Sequence, residues 1–76
     1  MLEAMGSAFS EEYRRFLKKL KATRLEAGLT QAEVAARLRK PQSFVSKLES
    51  GERRVDPVEL RHLSEIYGKP ASHFLK

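Results

Sequence analysis

The 76-residue chain contains no cysteine. No disulfide can staple it and no thiolate can hold zinc, which excludes a secreted disulfide scaffold. His62 and His73 are eleven residues apart, and neither has a cysteine companion. Two histidines alone rarely anchor a structural metal, so no metal and no other cofactor is expected. Uninterrupted apolar runs stop at three residues, far below the roughly 20 that span a bilayer. No signal-peptide segment is present either, so the reading is a cytoplasmic protein with no membrane span. The four glycines form no phosphate-cradling loop. No nucleophile elbow or paired-carboxylate site can be assembled, and a chain this short offers little pocket volume. An enzyme is not expected, and no residue is assigned as catalytic.

What is present suits one small domain. Apolar residues make up 41% and charged residues 33%, a globular balance that excludes a disordered polyelectrolyte or a fibrous repeat. The net charge is +5, which favours phosphate-rich or otherwise acidic partners. That excess is local: residues 11–54 carry +6, residues 1–10 carry −1, and residues 55–76 are neutral. Any anion-binding face belongs to the central stretch.

Residues 1–8 have no periodicity and read as a disordered or vector-derived terminus; residues 9–76 form the domain. Ser10 is a helix cap with Glu11 and Glu12 in the first turn, where acids complement the helix dipole. Tyr13, Phe16, Leu17, Leu20 and Leu25 make an apolar stripe, and Gly28 stops a helix over about 10–27. Thr30-Gln31-Ala32-Glu33 is a capping box that starts a second helix, with Ala32, Val34, Ala35 and Leu38 on its buried side. Pro41 interrupts it, since the residue before proline is pushed out of the helical region. A third helix runs from Gln42 to Ser50 with Val45 and Leu48 inward, and Gly51 closes it. Asp56-Pro57-Val58-Glu59 opens a fourth, with Val55 stapled onto Leu60 and Leu60, Leu63 and Tyr67 as its core stripe beside Ile66. Gly68 ends it, and a last turn buries Phe74. The fold class is all-α: a compact bundle of four to five short helices.

Two very short helices joined by a tight turn, the second preceded by basic residues and opening with polar ones, have the layout of a helix-turn-helix. Gly28-Leu29-Thr30-Gln31-Ala32-Glu33-Val34-Ala35 followed by Gln42-Ser43-Phe44-Val45-Ser46-Lys47-Leu48-Glu49-Ser50-Gly51 closely resembles the Cro and phage-repressor-like (XRE-type) regulators of bacteria, over about residues 14–75. The resemblance implies a lambda-repressor-like DNA-binding domain. It implies base contacts from Gln42, Ser43, Phe44 and Lys47, with Gln42 placed to read adenine through its paired amide donor and acceptor. It implies phosphate contacts from Thr30, Gln31, Arg39, Lys40, Ser46, Arg53 and Arg54, although the capping box alone accounts for Thr30. Many relatives carry glycine where Arg39 stands, and a positive φ costs a non-glycine about 1 kcal/mol. The turn is therefore reshaped or mildly strained. Pro41 replaces the usual hydroxyl cap.

Arg24 lies on the apolar stripe four residues after Leu20, where an unpaired charge is costly. The resemblance implies a structural ion pair with Glu49. Lys18, Lys19 and Lys21 read as a solubilising face.

The expected function is sequence-specific binding of double-stranded DNA by a transcriptional regulator acting as a homodimer on symmetric half-sites. Phe74 and Leu75 are candidates for its apolar interface. The alternative is a protein-binding adaptor, an antitoxin or polymerase-associated factor, that offers the same basic face to an acidic protein. A membrane partner is not expected, because the first helix spends its apolar stripe on the core.

Overall fold

The computed structural model describes residues 10–76; the proposed terminal remnant, and Phe9 after it, lie outside the described residues. Three of the four α-helices among the described residues start where a side chain can satisfy free backbone N–H groups. Ser10 accepts from the Tyr13 amide at 3.1 Å and opens α1, Glu11–Glu26. Thr30 and Glu33 exchange two hydrogen bonds, of 3.1 and 2.8 Å, and open α2, Gln31–Leu38. Asp56 and Glu59 repeat that box ahead of α4, Pro57–Tyr67. Between them α3, Gln42–Ser50, starts at Pro41 with no side-chain cap and ends at Gly51. A 3-10 turn, Ala71–Phe74, follows. The described residues include no strand.

The core is Leu20, Val34, Ala35, Val45, Leu48, Leu63, Tyr67 and Phe74, with Phe16, Leu29, Leu38, Phe44, Val55, Leu60 and Ile66 packed around it. It draws on every element. The 3-10 turn docks on α1 and α4, and the His73 Nε2 lies 3.2 Å from the Thr23 hydroxyl. His73 is therefore half-buried and ties the chain end to α1, whereas His62 is exposed.

Three apolar expectations are corrected. Leu25 is 58% exposed. Five residues after Leu20, it is turned well off the stripe, whose next inward position belongs to Arg24. Ala32 faces solvent because it lies two residues, about 200° of helix, before Val34. Phe74 is buried by the last turn as expected, at 1% exposure, and for that reason its place at an apolar interface is withdrawn, whereas Leu75 is 66% exposed.

Candidate nucleic-acid interface

On α3 the side chains at positions 44, 45 and 48 turn towards the protein, leaving Gln42, Ser43, Ser46 and Lys47 exposed. At 100° per residue those four share one face. They are held there by Val45 and Leu48, each 1% exposed on the opposite side. Pro41 supplies no side-chain cap, and the Phe44 amide donates to its carbonyl at 2.9 Å, so of the first turn's amides those of Gln42 and Ser43 receive nothing from a cap. Gln42 also borders a shallow hollow whose wall includes Thr30 and Gln31, so the starts of α2 and α3 adjoin.

The turn between them carries Arg39 and Lys40, both exposed. Arg39 adopts a left-handed conformation, φ 60 and ψ 43, and its amide donates to carbonyls of the last turn of α2. It is the one non-glycine residue with positive φ among the described residues. The chain keeps the tight turn and bears the strain rather than reshaping it.

A helix-turn-helix family model matches residues 20–74. Among solved structures, an XRE-family like protein from Pseudomonas syringae pv. tomato str. DC3000 is 40% identical with a TM-score of 0.82; the match covers 95% of this chain and 88% of that one. The chain belongs to the XRE-type helix-turn-helix family. That family is one of DNA-binding transcriptional regulators. No curated protein matches the chain.

In this XRE-type chain a buried polar cluster sets how the two motif helices meet α1. The Arg24 Nε and Nη2 donate to the two Glu49 carboxylate oxygens at 2.7 and 3.1 Å, and Nη1 donates to the Leu29 carbonyl at 2.9 Å. The two side chains are 7% and 5% exposed. The Glu49 hydrogen bond raises the Arg24 pKa further above its ordinary value, outweighing burial. Gln31 joins through its Nε2, 3.0 Å from the Glu49 Oε1. Its carboxamide is thus partly spent inside the protein, with one amide proton not used by that bond. The Tyr67 hydroxyl is buried with no hydrogen-bond partner. Burial, reinforced by the negative charge of Glu49, pushes its pKa up to about 12.

Phe44 does not stand free for a groove. Its ring is half-buried and packed on the core. The Lys40 Nζ lies 5.3 Å and the Arg53 Cζ 4.8 Å from its centroid. Arg53 also donates to the Glu59 Oε2 at 2.8 Å. Arg54 stacks 4.7 Å from the Tyr13 ring, whose hydroxyl accepts from the Val55 amide at 3.1 Å. Tyr13 and Glu59 were missed as organisers of the basic loop. Tyr13 reads as one more stripe residue and Glu59 as half of a capping box, and no sequence signal reports a partner 42 positions away. Thr30 is exposed, with its hydroxyl accepting inside its own cap.

Proposed function

We propose that this chain binds double-stranded DNA sequence-specifically, as a transcriptional regulator that acts as a dimer on an operator with symmetric half-sites. The observation that carries the reading is the exposed face of α3: four polar side chains over a buried apolar back, with cations on the segments flanking the helix. A helix so presented can enter a major groove, where amide and hydroxyl groups meet base edges and cations meet phosphates.

In this reading Gln42, Ser43 and Lys47 face bases. Gln31, Arg39, Lys40, Ser46, Arg53 and Arg54 face the backbone, with Thr30 holding the head of α2 in place. Phe44 supports the helix instead of reading a base. Dimerisation follows from size, since a nine-residue helix reads few base pairs and two half-sites a helical turn apart multiply discrimination.

Selection of bound duplexes from a random pool tests this. Enrichment of a spaced inverted repeat is expected. Duplex binding without any enriched sequence would remove specificity, and a single unpaired half-site would remove the dimer. A protein adaptor would leave the pool unenriched, with only weak, salt-sensitive retention.

A further inference from the structure

We propose that Phe44 is a positioning residue whose ring holds Lys40 and Arg53 beside α3, so that both cations are oriented before they meet the phosphates of one duplex. The proposal rests on the DNA-binding reading above and adds to it the means by which its cations are held.

Lys40 precedes α3 and Arg53 follows it, yet their charged groups lie 5.3 and 4.8 Å from one ring centroid. A cation within about 6 Å of an aromatic face is attracted by the ring's negative quadrupole. Both backbones are anchored as well: the Lys40 amide donates to the Ala35 carbonyl at 2.9 Å and the Arg53 amide to the Lys47 carbonyl at 3.1 Å. Arg53 is braced on another side by Glu59 at 2.8 Å while its side chain stays 48% exposed. Long cationic side chains lose much rotamer freedom when a phosphate immobilises them, and holding them beforehand lowers that cost. Tyr13 repeats the device with Arg54, 4.7 Å from its ring. A leucine at position 44 could still fill the edge of the core, but it has no charged face. The ring's electrostatics, beyond its volume, are therefore what the arrangement uses.

The test measures affinity for a mixed-sequence duplex across a salt series, alongside thermal unfolding, for the unaltered protein, Phe44→Leu, Phe44→Tyr and a ring-fluorinated phenylalanine at position 44. Fluorination drains negative charge from the ring face at nearly constant shape, so it reports even if Phe44→Leu fails to fold. Each phosphate contact contributes about 0.9 to the slope of log affinity against log salt. The slope is expected to fall by roughly 1–2 for each bound subunit in the leucine and fluorinated proteins, with affinity down roughly 3–10-fold at low salt, and Phe44→Tyr is expected to restore both. When Lys40→Ala and Arg53→Ala are already present, fluorination should change nothing further. An unchanged slope on fluorination, a tyrosine that fails to rescue, or an equal loss without the two cations would overturn the proposal while leaving DNA binding intact. No duplex binding by the unaltered protein would overturn the DNA-binding reading and this proposal with it.

Discussion

Arg39→Gly should make the protein more stable and a poorer ligand for DNA. The backbone at Arg39 sits at φ 60 and ψ 43, where a residue with a Cβ bears about 1–2 kcal/mol of strain. Glycine removes that strain but adds about 0.5–1 kcal/mol of chain entropy to be lost on folding. The net gain lies between about 0 and 1.5 kcal/mol, and its midpoint of about 0.75 kcal/mol raises the melting temperature of a domain of this size by roughly 3–6 °C. The same change deletes an exposed guanidinium in the turn ahead of α3. Duplex affinity should fall for all sequences alike, and the salt slope should shrink by about 0.9 for each bound subunit. Arg39→Ala separates the two effects, since alanine loses the charge and keeps the strain: it should bind as poorly as glycine and melt near the parent. Calorimetry and a salt-series titration read the two quantities independently. A glycine variant that melts no higher than the parent would refute the strain argument, and one that binds DNA as tightly would refute the phosphate role.

Gln42→Ala should relax discrimination at one base position by about 1–3 kcal/mol; equal loss on every duplex would remove its reading role. Arg24→Ala leaves Glu49 buried and unpaired and should cost about 3–5 kcal/mol in chemical denaturation; unchanged stability with weakened DNA binding would make Arg24 a DNA ligand instead. Tyr67→Phe removes a buried hydroxyl that has no partner and should stabilise the fold by about 1 kcal/mol at neutral pH. The parent should also lose stability as pH rises from about 10, the unfolded value, to about 12, and the phenylalanine variant should not, a difference that denaturation at alkaline pH would expose. The Glu33 carboxylate is held below its ordinary pKa of 4.5, first by the Thr30 amide and then by the Thr30 hydroxyl. Its contribution is therefore present above that value and lost as pH falls through the depressed one. Glu33→Gln, which retains the capping geometry, should flatten that part of the acid limb; an identical acid limb would place the titration elsewhere.

Helix boundaries were legible because the chemistry that sets them acts within a few residues. Ser10, Thr30 and Asp56 each cap a helix by accepting from the amide three positions on, and Gly51 and Gly68 end helices in the left-handed conformation they adopt. The exposed face of α3 followed from the same short-range periodicity, since Val45 and Leu48 had to turn inward together. Helical spacing could not say which apolar positions find a neighbour, so Leu25 and Ala32 were misplaced. Burial depends on where other helices cross, and that is a property of the assembled bundle. The Gln31 link to Glu49, the Tyr13 hydroxyl on the Val55 amide, and the ring shared by Lys40 and Arg53 join residues 18, 42 and 13 positions apart. Caps, breaks and stripes thus dictated what each segment becomes, because their forces reach one or two turns. Packing of the helices against one another chose the partners and orientation of the side chains around α3, because contacts between distant segments exist only once the chain has folded.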